Sequence, residues 1–277
     1  MPFADSSRRV NSGVVPLTLH QVKETVDIIA MNDTGIIIAL SLIGILGVIS
    51  FCPIIPTLIR RVSSSDRQRR IPVPVLVLLT LIQTSLIVVV SAWAGERLGP
   101  PLGLRSGLLD RAAQPTWSNI GRLVLPAIVV GCVGGLAAFS LAKPLISYLR
   151  EIPLITRLLY GGFTEEVIVR WGLMTCIVWL LSHGGVTGAT YSTQSYVILA
   201  GVVVTNALFA GAHVPLLRAV KTSAPGKAAW VIFVASLPWG WLFWAFGIES
   251  AMIAHMTFHA VVEAIAVWEK RVPKIKY

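Results

Sequence analysis

Charge is scarce in this chain. Asp, Glu, Lys and Arg together make up 13% of its 277 residues, where a soluble domain carries about 25%. That shortage excludes an ordinary water-facing surface. Cysteine is also rare. Cys52, Cys132 and Cys176 fall in three separate apolar runs and no pair has metal-ligand spacing, so they read as small hydrophobes rather than a disulfide framework or a zinc knuckle. Acidic residues number 13 against 23 basic ones, a net charge of +10. Nucleic acid is nonetheless excluded as a partner, because the basic residues sit in short clusters between apolar runs, the pattern of cytoplasmic loops rather than of a phosphate-binding face. No internal repeat or low-complexity tract is present. The N-terminus lacks the short basic–apolar–small pattern of a cleaved signal peptide, and the first long apolar run, beginning near Gly35, is read as a retained span.

What is abundant is apolar sequence: 55% of residues are hydrophobic and the mean hydropathy is +0.76. A transmembrane helix needs about 20 mainly apolar residues. Seven stretches qualify, at 35–58, 73–93, 123–141, 158–181, 196–214, 228–246 and 248–268. The expected fold is therefore all-α, a polytopic transmembrane helical bundle in contact with the lipid bilayer. Four parts are expected: a tail with an interfacial helix (1–34), N-terminal membrane helices (35–154), a catalytic membrane domain (155–268) and a basic tail (269–277). Within the first, Leu19, Val22, Val26 and Ile29 recur at helical spacing with Lys23, Glu24 and Asp27 between them, which reads as an amphipathic helix lying on the surface. Over 144–159, Lys143, Arg150 and Arg157 recur every seven residues. They predict a cytoplasmic helix leading into the fourth span, or part of a broken eighth membrane element.

Orientation follows from Lys and Arg in the loops. The segments around Arg60–Arg70, Lys143–Arg157, Arg218–Lys227 and the C-terminal tail hold 15 of them, the opposite side 7, and Arg170 lies inside a span. The N-terminus is thus expected outside and the C-terminus inside, in the plasma (inner) membrane. Trp93, Trp117, Trp230 and Trp268 near span ends fit an aromatic belt.

Ionisable residues inside spans are costly and usually functional. The fourth span contains Gly-Gly-Phe-Thr-Glu-Glu-Val-Ile-Val-Arg over 161–170. Glu166 and Arg170, four apart, share a helical face and can pair. Glu165 points about 100° away at 3.6 residues per turn and lacks that partner, which leaves it free to act as general base or acid; the bland reading is an ion-pair cluster that staples helices. In the fifth span His213 lies one turn after Phe209, just before Pro215, which is expected to stop the helix. Ala210, Gly211 and Ala212 predict a close helix approach there. A lone histidine in an apolar run is ordinarily a bonded core residue. The seventh span carries His255 and His259 on one face, the spacing of paired imidazoles on a zinc-binding helix, although the HExxH glutamate is missing. Glu263 continues that face, either orienting His259 or reaching for the interface. Glu249 begins the helix, where a carboxylate suits the dipole.

Together, Glu165-Glu166-x-x-x-Arg170, Phe209-x-x-x-His213 and His255-x-x-x-His259, in that order and each inside an apolar span, resemble the motifs of the CAAX-protease and bacteriocin-processing (CPBP, or Abi) family of intramembrane peptidases. The resemblance runs from about Ile155 to Trp268. It departs at His259, where the family usually has Asn or Asp. The resemblance implies a glutamate-dependent endopeptidase in which Glu165 and His213 activate a water, His255 and His259 hold the oxyanion, Arg170 fixes Glu166 and Phe209 walls the water site. It implies a membrane-associated peptide or protein as substrate. The family has been described both with and without a metal. Here His213, His255 and His259 form a candidate ligand set for Zn²⁺, with a fourth position open to water. The rival classes are a proton-coupled transporter, disfavoured by the missing inverted repeat, and a scaffold that binds a membrane partner.

Overall fold

The computed structural model describes residues 19–62, 71–109, 117–141, 146, 149, 151–183, 191–219 and 222–271. Its helices are α1 (Leu19–Phe51), α2 (Ile55–Val62), α3 (Val73–Leu98), α4 (Trp117–Leu141), α5 (from Leu154 to His183), α6 (Tyr191–Ala219), α7 (Pro225–Phe246) and α8 (Ile248–Arg271). No strand occurs among the described residues. Among the described residues, seven helical stretches are long and apolar enough to cross a bilayer: Thr34–Phe51, Val73–Leu98, Ile120–Leu141, Leu154–His183, Gln194–Arg218, Pro225–Phe246 and Ile248–Glu269. The protein is an integral, multi-pass membrane helical bundle.

The outer faces explain the hydropathy. Leu78, Ile82, Leu86 and Val90 on α3, and Leu125, Val129, Val133 and Leu136 on α4, are exposed at three- and four-residue spacing. In water such apolar surface would be a liability; against lipid tails it is solvated. Trp93, Trp230 and Trp268 are exposed too. The Trp117 side chain lies outside the described residues.

Inside, small residues let backbones close up, the usual device where lipid offers no hydrophobic drive between helices. Gly131 and Gly135 of α4 leave room for Ala254, Thr257 and Val261 of α8, and these two helices form the most extensive pairing in the bundle. Gly95 of α3 lies against the Trp171 ring of α5, whose Nε1–H donates to the Ala92 carbonyl at 3.1 Å. Two hydroxyls tie α5 to α1: Thr156 donates to the Ser50 carbonyl at 2.9 Å and Thr164 to the Gly44 carbonyl at 2.7 Å. These contacts hold α5 at the centre of the bundle.

α5 is not a regular α-helix. It winds as a π-helix over Arg157–Glu165 and again over Val167–Met174, with Glu166 between. π turns are rare and concentrate at functional sites.

Several expectations are corrected. The amphipathic stretch is not a separate helix, since Leu19–Phe51 is continuous. At 1.5 Å per residue it is about 50 Å long, well beyond a hydrocarbon core of about 30 Å; the side chains of residues 19–33 lie outside the described residues. A single helix over 144–159 does not form, because the chain turns at Glu151–Ile152 and Pro153 restarts it. Arg157 does not share a solvated face with Lys143 and Arg150, both outside the described residues. It is buried, donates from Nε to the Ile152 carbonyl at 3.0 Å and forms an ion pair with Glu263. Glu263 therefore neither orients His259 nor stands free at the interface. Pro215 sits inside α6, which continues to Ala219. Gly211 faces open space among the described residues, whereas its neighbour Ala210 is buried. Glu249 does more than meet the helix dipole: it accepts backbone N–H bonds from Gly107 at 2.7 Å and Leu108 at 3.1 Å, and a hydrogen bond from the Ser106 hydroxyl. That clamps the 103–109 loop onto the start of α8.

Candidate active site

The two adjacent glutamates of α5 have opposite surroundings. Glu166 is fully buried, and its Oε2 lies 3.4 Å from Arg170 Nε. Arg170, equally buried, donates from Nη2 to Asn206 Oδ1 at 2.8 Å and to the Ser236 carbonyl at 3.2 Å. Asn206 is oriented for this by its own Nδ2, which donates to the Val202 carbonyl at 2.7 Å. The guanidinium also lies 5.1 Å from the Phe209 ring centroid and 5.6 Å from that of Trp239, within cation–π range. A buried carboxylate and a buried guanidinium are each tolerable only because the other is there.

The remaining oxygen of Glu166, Oε1, lies 2.7 Å from His255 Nδ1. A carboxylate only accepts, so Nδ1 carries the proton, and in the neutral imidazole Nε2 presents a lone pair. The His255 ring is clamped between Trp239, stacked at 4.1 Å, and His259, stacked at 4.9 Å. His213 is set by the same logic. Its Nδ1–H donates to the Phe209 carbonyl at 2.8 Å, and its ring meets the edge of the Phe209 ring. Its Nε2 is likewise left as a lone pair.

Both lone pairs turn toward Glu165. His213 Nε2 lies 4.0 Å from Glu165 Oε1, and His255 Nε2 lies 3.9 Å from Glu165 Oε2. Those separations exceed a direct hydrogen bond and suit a water between the groups. Glu165 is about one-fifth exposed, whereas Glu166 has no exposure at all. The glutamate without a fixed charge partner is thus the one that reaches open space.

That space is a cavity of about 350 Å³ whose wall includes Glu165, His213, His255, His259, Tyr160 and Gly161. Gly161 matters by what it lacks. A methyl group there would stand 3.0 Å from His259 Nε2 and 3.1 Å from His255 Nε2. Both imidazoles therefore aim into the room left by the missing side chain. His259 Nδ1, on the other side of its ring, is buried with no hydrogen-bond partner.

Among the described residues no group of three His, Cys, Asp or Glu side chains is disposed to hold a metal ion, so the arrangement of His213, His255 and His259 does not by itself define a zinc site.

All the residues singled out in the three motifs are drawn together around this cavity or its supporting ion pair. Residues not assigned from sequence also contribute: Asn206 and Trp239, which hold Arg170 and His255, and Tyr160 and Gly161 in the cavity wall. Asn206 carried a readable signal, being a polar amide inside an apolar span. Trp239 carried none that separates it from the other tryptophans.

The described residues thus form a seven-span bundle with a carboxylate and two imidazoles around one cavity. Residues 150–261 match the family model described as type II CAAX prenyl endopeptidase Rce1-like. The resemblance to the CPBP family is thereby shown over this segment, and at family level it supports a CAAX-type intramembrane endopeptidase with a protein substrate in the membrane. No curated protein and no solved structure matches the chain.

Proposed function

We propose that the protein is an intramembrane endopeptidase that hydrolyses a peptide bond of a membrane-associated protein or peptide. The observation that carries this reading is the convergence of Glu165, His213 and His255, from three different helices, within 4.0 Å on one cavity. Each would be costly in lipid alone.

In this reading Glu165 takes a proton from the water that attacks the scissile carbonyl. His213 Nε2 accepts the water's second hydrogen bond and aims its oxygen. His255, held through Glu166 and Arg170, closes the other side. Oxyanion stabilisation falls to His259 in the place of the family's amide side chain. Its Nδ1 has no partner, and an orphaned acceptor is more readily tolerated than an orphaned N–H. The proton therefore sits on Nε2, which faces the cavity and can donate. Phe209 and Trp239 wall the site and strengthen its polar contacts by excluding bulk water. Residues 155–268 form the catalytic domain.

Access is from the cytoplasm. The cavity wall includes Phe51 and Leu58, Ile152 and Thr156, Leu216, and Ile232. These come from the end of α1, from α2, from the turn before α5 and its first residues, from the end of α6 and from the first half of α7, next to the basic segments, which hold 15 Lys and Arg against 7 opposite. With the basic side inward, the N-terminus is outside and the C-terminus inside, in the plasma (inner) membrane.

Glu165→Gln in protein reconstituted in nanodiscs tests the reading. Cleavage of a membrane-anchored reporter peptide falls by about a hundredfold to ten-thousandfold, the contribution of positioned acid–base catalysis, with thermal stability unchanged because no buried charge loses its partner. Retained cleavage by the variant removes Glu165 as the base and the reading with it.

A further inference from the structure

The hydrogen-bond inventory of the site is unbalanced. With Nδ1–H of His213 and His255 committed, the neutral imidazoles present Nε2 as acceptors beside the Glu165 carboxylate. They suit a water, which brings two protons. They do not suit the oxyanion that forms when that water attacks, which needs donors. His259 supplies one. Acyl-transfer sites ordinarily aim more than one donor at that oxygen.

The winding of α5 supplies a second candidate. Tyr160 and Glu165 are both in the π-helical stretch Arg157–Glu165. In an α-helix residues five apart diverge by about 140°. In a π-helix, closed by i→i+5 bonds, they share a face. Accordingly both line the cavity, and the Glu165 carboxylate lies within electrostatic reach of the Tyr160 hydroxyl. Tyr160 immediately precedes Gly161, over which the His255 and His259 Nε2 atoms converge. Its ring is held by stacking on Phe51 at 4.7 Å, so the hydroxyl is carried on a fixed platform.

We infer that Tyr160 is a further catalytic residue of this site, its hydroxyl donating, with His259 Nε2–H, to the tetrahedral oxyanion. The inference rests on the hydrolytic reading above. In the step, the water oxygen bonds to the carbonyl carbon and its proton passes to Glu165. The carbonyl π electrons move onto oxygen, where the Tyr160 hydroxyl and His259 donate hydrogen bonds without giving up their protons. On collapse the C–N bond breaks, its electron pair leaves on nitrogen, and the Glu165 proton transfers to that amine.

A tetrahedral-anion probe tests this without knowledge of the natural substrate. A short apolar peptide ending in a phosphonate, and the same peptide ending in a neutral carboxamide, are titrated into the full chain in phosphatidylcholine nanodiscs. The parent protein binds the phosphonate more tightly than the amide. Tyr160→Phe keeps the ring and its stacking, weakens phosphonate binding about tenfold to a hundredfold, as loss of a hydrogen bond to a charged group does, and leaves the amide unchanged. Fluorinated tyrosine at position 160, a stronger donor of the same shape, tightens phosphonate binding. Equal phosphonate binding by the parent and Tyr160→Phe, equal losses for both probes, or no response to fluorination overturns the role of Tyr160 alone. No preference for phosphonate in the parent protein overturns the hydrolytic reading and this inference together.

Discussion

One methyl group at position 161 separates the chemistry of this site from its stability. Built onto Gly161, a Cβ lies 3.0 Å from His259 Nε2 and 3.1 Å from His255 Nε2, so each ring must give by a few tenths of an ångström. Neither can do so freely. His255 is pinned by Glu166 and stacked on Trp239, and His259 stacks on His255. Overpacking of this kind costs about 1–3 kcal/mol, and replacing a helix glycine returns about 0.5–1 kcal/mol. The fold thus loses at most about 2.5 kcal/mol. On the proposed function activity loses far more, since the methyl occupies the room into which the His255 and His259 nitrogens point, and a substrate held about 1 Å out of place there costs about a hundredfold. Gly161→Ala in nanodiscs is expected to unfold within a few degrees of the parent and to lose at least about a hundredfold in turnover of a membrane-anchored reporter. Turnover within threefold of the parent would refute the assignment of this space to the reacting groups. So would a loss of turnover matched by loss of folded protein, because the effect would then be on packing.

Three further outcomes follow from the same geometry. Arg170→Ala strands the fully buried Glu166 and is expected to cost about 3–5 kcal/mol, read as lost yield or a lower melting temperature in detergent; a variant as stable as the parent contradicts the pairing. His259→Asn restores the amide more usual in the family and is expected to keep activity within about tenfold, with chelator affecting neither variant nor parent; metal-dependent activity abolished by this substitution would revive the zinc set. In intact cells an impermeant thiol reagent is expected to label a cysteine introduced by Gly185→Cys but not one introduced by Ser64→Cys, and the opposite pattern reverses the orientation.

The spans were legible because lipid demands long apolar runs, and hydropathy reports those directly. The misplaced edges have a common cause. Helix continues through charged residues that read as its limit. Lys23, Glu24 and Asp27 read as the polar face of a separate surface helix, yet Lys and Glu are good helix formers and α1 runs through them. Arg157 reads as part of a cytoplasmic helix before the fourth span, yet it is inside α5 and paired with Glu263, over a hundred residues away. Local sequence carries no sign of a partner so distant. The site was legible where four-residue spacing sufficed, as for Glu166 with Arg170 and His255 with His259. It was illegible where α5 departs from that spacing, since nothing in side-chain pattern distinguishes i+4 from i+5 winding.

The adjacent glutamates show how a bundle assigns different tasks to identical side chains. Sequence spacing says only that Glu166 can reach Arg170. The structure adds what surrounds that pair: Asn206 and the Ser236 carbonyl on the guanidinium, and the His255 Nδ1–H on the other carboxylate oxygen. Glu166 is therefore held between a guanidinium and an imidazole and has no exposure to the cavity. Glu165, one residue earlier, has the His255 and His213 Nε2 atoms at 3.9 and 4.0 Å, beyond direct hydrogen-bond distance. Its carboxylate makes no hydrogen bond among the described residues and can accept one from a molecule that enters the cavity. Water is the smallest such molecule, and in the proposed function it enters between Glu165 as base and two imidazoles that fix its direction. On that reading the charge network of Glu166 acts on chemistry indirectly, by holding His255 Nε2 toward Glu165.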